Sequence, residues 1–233
     1  LISKSDYANQ YNYTNPLAGY SGGGANAVKK VYKTHGKSKN SWVGFSYDAR
    51  GNMTQGDGLS SAIYNAMDKP TSLNKDGTQL SFIYGPNHMR TKQVRTKGSK
   101  SVSTYYADKL YEVEIDGTKR TTRAYLGDIA IIKQTYVSNN LQSQDISYTL
   151  KDRLGSSRIF TDADGDIIGE LRNFDPFGKP RLSSGQNTFD GNAKLTDLEE
   201  NGRRGFTDHE HLDEVELIHM NGRVYDYNLG RFM

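Results

Sequence analysis

YDARGNMT, residues 47–54, is the stretch on which the rest of the chain can be read. Asp48 suits the first position of a type I turn, and Gly51 can take the positive φ that follows in a three-residue hairpin loop. Tyr47 and Met53 then begin two antiparallel strands.

Outward from this hairpin, a tyrosine near turn residues keeps returning. Tyr64 stands in YNAMDKPT, Tyr84 in YGPNHMRT, Tyr105 in YYADKLYEVE, Tyr125 in YLGD and Tyr148 in YTLKDRLGS, at gaps of 17, 20, 21, 20 and 23 residues from Tyr47 onward. A period of about twenty fits a strand, a turn, a return strand and a second turn. Asp116-Gly117 and Asp164-Gly165 each lie between β-prone runs, which is a strong short hairpin signal. Two stretches read as helical: LTDLEENGR at 195–203 and DHEHLDEVEL at 208–217. The expected fold class is mainly β: repeated antiparallel hairpins with one or two short helices. Residues 1–44 form an irregular lead-in or the end of a preceding repeat, and polar, Gly/Asn-rich residues 183–205 read as an inserted loop.

Composition agrees with thin sheets. Only 34% of the 233 residues are hydrophobic, yet there are 16 Tyr and 8 Phe, too many aromatics for a disordered chain. Tyrosine joins an apolar ring to a wettable tip and suits a sheet that faces water. The 30 basic and 27 acidic residues nearly balance, so net charge demands neither nucleic acid nor an anionic membrane. With no cysteine there is neither a disulfide scaffold nor a thiolate metal site. No apolar run approaches the roughly 20 residues of a spanning helix, and LISKSDYANQ lacks the order of a signal peptide.

YDARGNMT, YNAMDKPT and YGPNHMRT resemble the tyrosine-aspartate repeats of the RHS/YD-repeat family. The second half resembles that family's RHS-associated core through KDRLGSSRIFTDADGDIIGE, FDPFGKPR and RGFTDHEHLDEVELIHMNGRVYDYNLGRFM. The residues that match as structural motif are Tyr47, Asp48, Gly51, Asn52, Asp152, Arg153, Gly155, Asp175, Pro176, Gly178, Gly230, Arg231 and Phe232. The resemblance divides the chain into YD hairpins at 45–150 and a core segment at 151–233.

It also implies a long sheet of hairpins that spirals into a hollow shell around a variable C-terminal toxin, in secreted bacterial toxins or toxins delivered into a target cell. The expected partners are the protein's own C-terminal toxin segment and other shell chains that pair at exposed sheet edges. No cofactor is implied. In the family the core often frees the toxin by aspartate-based autoproteolysis, and both catalytic aspartates lie in Asp-Pro-containing elements beyond the point matching Met233. The expectation is therefore a truncated core, non-catalytic as isolated. Arg223, in NGRVYD, matches a supporting arginine of that machinery; pairing with Asp226 or stacking on Tyr225 is its structural alternative. An extracellular adhesion or carbohydrate-binding module is a further alternative.

Other constellations favour plain readings. Asp162, Asp164 and Asp166 begin like a calcium loop, but Ile167 holds the position that needs Gly and Asn173 that of the bidentate Glu, so a hairpin turn is preferred. His209, His211, His219 and Asp213 are sufficient in number for zinc, but their spacing is not HExxH. RTKQVRTKGSK, residues 90–100, reads as a solvated strand face rather than a nucleic-acid platform. GYSGGGANA reads as a loop, and FDPFGKP as a turn that positions Phe174 and Phe177 for packing. Cross-strand ladders are preferred over sugar stacking for the tyrosines. Exposed sheet edges predict self-association unless another chain covers them.

Overall fold

A computed structural model of the chain describes residues 1–181, 195 and 197–233. It is mainly β and antiparallel throughout, as the hairpin period predicts. The first sheet is β1 (Ala8–Asn12), β2 (Lys30–Lys33) and β3 (Trp42–Gly44), so the lead-in carries more order than its Gly/Asn/Ser-rich composition suggests. The YDARGN turn closes β4 (Ser46–Tyr47) on β5 (Met53–Gln55), with Tyr47 opposite Met53.

A ten-stranded meander follows: β6 (Leu59–Tyr64), β7 (Pro70–Lys75), β8 (Thr78–Tyr84), β9 (Arg90–Lys97), β10 (Lys100–Ala107), β11 (Tyr111–Asp116), β12 (Lys119–Leu126), β13 (Ala130–Val137), β14 (Asn140–Lys151) and β15 (Ser157–Thr161). Within it, strands adjacent in sequence pair in space. Two turn types alternate along it. At one end are two-residue loops: Asp76-Gly77 and Ser138-Asn139 have positive φ at both positions, while Gly98-Ser99 and Gly117-Thr118 have it only at the glycine. These are the I′ and II′ patterns whose twist matches paired strands.

At the other end, and beyond the meander, one wider turn recurs. The carboxylate of Asp48 accepts the amides of Arg50 and Asn52, both at 2.9 Å, while the Gly51 amide donates to the Asp48 carbonyl at 3.1 Å. Asn65 does the same with Met67 and Lys69, and Asp152 with Leu154 and Ser156. Asp162 takes Asp164 and Asp166, and Asp175 takes Phe177 and Lys179. The fourth turn residue has positive φ each time, at Gly51, Asp68, Gly155, Gly165 and Gly178. A short acceptor at the first position and a residue tolerant of the left-handed region at the fourth are thus the sequence requirements.

The chain then forms β16 (Asn173–Phe174) and β17 (Pro180–Arg181), a single-turn helix α1 (Leu198–Asn201), and a 3-10 turn at Phe206–Asp208. The final sheet is β18 (Glu210–Leu212), β19 (Leu217–Met220), β20 (Arg223–Asp226) and β21 (Arg231–Phe232). The expected helix over 208–217 is therefore replaced by that 3-10 turn's end, a strand and a turn. Two of its acidic residues meet arginines of the meander: Glu210 pairs with Arg90, and Glu214 with Arg95 at 3.1 Å. Of the helix expected over 195–203, the described part forms only α1. Most of the expected loop at 183–205 lies outside the described residues, but 197–205 is packed: Asp197, for example, is buried against Arg172.

The main core lies where the first sheet, β5–β8 and the final sheet meet. Tyr7, Val31, Phe45, Leu73, Leu80, Phe82, Leu217, Val224 and Leu229 are all buried there. Lys75, also buried, ties the meander to the final sheet by donating to the Val215 carbonyl at 2.7 Å.

Candidate functional site: a charged inner wall

The face of the meander turned toward the final sheet changes character along its length. Leu73, Leu80 and Phe82 make it apolar on β7 and β8, whereas from β9 onward Arg90, Gln93, Thr104, Glu112 and Arg123 are buried beside Val102 and a small apolar cluster of Tyr125, Ile131 and Phe160. Strand alternation aims these side chains inward, and the wide turns place the tyrosines beside them. Tyr47, Tyr64 and Tyr84 donate their hydroxyls to the carbonyls of Val28, Met53 and Pro70 at 2.7, 2.6 and 2.8 Å. Met53 and Pro70 each directly follow the preceding wide turn, so Tyr64 and Tyr84 each lock one hairpin onto the one before it. In the next unit this place belongs to Tyr106, which precedes the turn at Ala107; the expected Tyr105 is 41% exposed on the opposite face, as is Tyr148 at 40%.

Tyr106 breaks the pattern by donating to Glu210, at 3.0 and 3.1 Å to its two carboxylate oxygens. Arg90 pairs with the same carboxylate, donates to Gln93 at 2.6 Å and lies over the Tyr106 ring at 4.2 Å. The carboxylate of Glu210 is thus supplied with a charged and a hydrogen-bonding partner, as its burial requires, while the Arg90 Nε at the same junction has no hydrogen-bond partner among the described residues. Further along, Arg123 donates to Glu112 at 3.2 Å, Arg203 grips Glu214 with two nitrogens at 2.8 and 3.1 Å, and Arg172 binds Asp197 at 2.8 Å while covering Phe160. Between these pairs lies a cavity of about 360 Å³, lined in part by Arg95, Lys97, Glu114, Arg123, Arg203 and Glu214. A second, of about 630 Å³, opens beside Lys33, Asp57, Lys75 and Glu216.

Residues 90–100 are accordingly not the solvated face expected of them. Arg90 and Arg95 turn inward to carboxylates brought from the final sheet, and Lys92 turns outward over Tyr105 at 4.9 Å. The alternation that looked like a wet strand is a wall with one ionic face.

The histidines do not converge. His211 is fully buried; its Nε2 accepts the Phe206 amide at 3.1 Å, and its ring lies 5.3 Å from Phe174. His219 is buried against Phe82 and Tyr84, and His209 sits beside Thr207. Burial, helped by nearby Arg172, lowers the His211 pKa to about 3, and burial with Arg90 lowers that of His219 well below the usual range. Burial raises the Asp213 carboxyl to about 6, against the opposing pull of Arg203. Asp164 and Asp166 are exposed within their turn.

Among the motif residues, Asn52 bridges two turns, donating to Asp48 at 3.0 Å and Asp68 at 2.9 Å. Asp175 also takes Lys4 at 3.0 Å, under which lies the Phe177 ring. Pro176 and Arg153 are exposed in their turns. Gly230 donates to the Asp226 carbonyl at 2.8 Å, and Arg231 reaches back to the Asn26 carbonyl at 2.8 Å and the Tyr13 hydroxyl at 3.2 Å. Arg223 is exposed on β20 and stacks on Phe232 at 3.9 Å, rather than pairing with buried Asp226 or stacking on Tyr225. In the loop at 19–27, Lys29 donates to the Gly22 and Gly23 carbonyls at 2.6 Å each. A Cβ on Gly22 would stand 2.2 Å from the Tyr47 carbonyl oxygen, so the loop's close approach to the YD hairpin at this position requires glycine.

Sequence reasoning missed Arg90, Glu112, Arg123, Glu210 and Glu214. The available signal was charge at alternate strand positions, which reads the same whether the face meets water or another charged surface.

The fold is found in solved structures that contain TcdB2 and TccC3. The solved structures that share it include TcdB2-TccC3 (14% identity, TM-score 0.63) and TcdB2-TccC3-Cdc42 (13%, 0.62). TcdB2-TccC3 without its hypervariable C-terminal region is similar too (12%, 0.59). Each match covers 96% of this chain and 12% of the neighbour's. At such identities the likeness shows the fold alone. No protein-family model matches the sequence, and no curated protein matches it.

Proposed function

We propose that this chain is a stretch of the wall of an RHS-type shell, which in its parent protein encloses a C-terminal toxin segment and presents it for delivery. The observation that carries the reading is the ionic inner face of the meander. A sheet that served only to bury a core would carry an unbroken apolar surface; this one interrupts it, between the core on β7 and β8 and the small cluster of Tyr125, Ile131 and Phe160, with paired charges around open cavities. One solved neighbour is described as being without a hypervariable C-terminal region, which supports a variable segment at that end of the parent. Single-particle imaging of the parent protein tests the reading. Density for the downstream segment inside a β wall is expected, and that segment standing free outside would refute it.

An autoproteolytic core is the second reading, favoured by the exposure of Arg223, whose side chain has no carboxylate partner among the described residues. Intact mass of the chain extended by its native downstream sequence distinguishes the two. Loss of the extension that Arg223→Ala abolishes identifies a self-cleaving body, and an intact extension leaves the wall alone.

A further inference from the structure

β14 is 12 residues long, but β15 pairs only with its last four positions, Tyr148 to Lys151. On that side, residues 141–147 meet no strand among the described residues. Thr149 donates its amide to the Ile129 carbonyl at 2.8 Å, on the β13 side. By strand alternation the amides of Gln144 and Ile146 point the other way, into the unpaired side. Leu141 and Ile146 are 53% and 45% exposed there. Residues 140–147, NLQSQDIS, contain no Lys, Arg or Pro, the residues that normally protect an open edge. The protection present is a bulge at Gln142, where the register slips between Thr135 and Tyr136.

We propose that this stretch is a docking edge for an extended segment of a partner polypeptide, which adds as an antiparallel strand with a basic residue opposite Asp145 and apolar residues on either side of it. Length and charge define the occupant. The turn at Ser138-Asn139 closes one end and β15 the other, leaving seven residues, or about 23 Å of strand. Asp145 is the one charged residue in 140–147, and its side chain remains 53% exposed although Lys133 lies 3.5 Å away. A second copy fits poorly, because two antiparallel copies centred on the regular part, 143–147, set Asp145 against Asp145. The inference does not depend on whether the wall encloses a toxin.

The test uses the whole chain and a fluorescein-labelled peptide, Val-Thr-Val-Lys-Val-Thr-Val. It is compared with the same peptide carrying Glu for Lys and with one N-methylated along its backbone. Anisotropy should show saturable binding of the Lys peptide, about five-fold tighter than the Glu peptide, and none of the N-methylated one. Asp145→Lys, checked for an unchanged melting temperature, should reverse the preference, and hydrogen exchange should show Gln144 and Ile146 gaining protection. The proposal is overturned by absence of binding up to about 1 mM, by equal binding of the three peptides, or by a preference that ignores residue 145. A dimer in sedimentation that Ile146→Lys dissociates would also overturn it, by making the occupant a second copy.

Discussion

Arg90 and Glu210 lie 120 positions apart, and each is buried with the other as its ion-pair partner. Glu210→Ala leaves the guanidinium without its counter-charge and also strips Tyr106 of its acceptor; a loss of about 3–5 kcal/mol in chemical denaturation is expected. Arg90→Met with Glu210→Leu should cost less than Glu210→Ala alone, because no buried charge is then left unpaired. If the double variant were the less stable, the pair would be stabilising in its own right.

The buried histidines make a pH prediction at the same scale. His211 titrates near 3 in the folded chain against an ordinary 6.5, so the unfolded chain binds more protons between those values. Its contribution to stability is complete above pH 6.5 and is lost as pH falls toward 3, with His219 acting in the same direction. Asp213, raised from 3.8 to about 6, opposes this over its own window by binding protons in the folded state. The clean readout is therefore a difference: His219→Phe should flatten the rise of stability with pH between about 4 and 6.5 relative to the unsubstituted chain. Parallel pH profiles would count against a neutral, buried His219.

At the scale of the element, the wide turn is one device used repeatedly, and DADGD is an instance of it rather than a calcium loop. Removing its acceptor by Asp152→Ala leaves the Leu154 and Ser156 amides unpartnered and should cost about 1–2 kcal/mol. Gly165→Ala, at φ of +90°, should cost about 1 kcal/mol through strain alone, with no calcium-dependent change in melting temperature for either the variant or the parent chain. Much of this was legible, because Asp48, Gly51, Asp152 and Gly178 are required by backbone geometry that acts within five residues. The choice between Tyr105 and Tyr106 was not, since two adjacent tyrosines carry the same local signal and only the Glu210 contact shows which faces inward. DHEHLDEVEL failed for a related reason: Glu210 and Glu214 each pair with an arginine more than a hundred positions away, and helix signals are local.

At the scale of the whole molecule, the meander has an apolar core at one end and a small apolar cluster at Tyr125, Ile131 and Phe160 further along, and its inner face is held largely by ion pairs, as the proposed wall requires. The sequence carried the repeat and its resemblance, while the ionic lining depends on which surface each charged strand faces. The enclosure that such a wall suggests can be measured by limited proteolysis of the parent protein. Reporter antibodies would follow the sequence beyond Met233, with the same protein treated after unfolding as reference. The account predicts that the downstream segment is cut many times more slowly in the native protein than after unfolding, and that its protection is lost together with the wall. Digestion of that segment at the unfolded rate, while the wall remains intact, would contradict it.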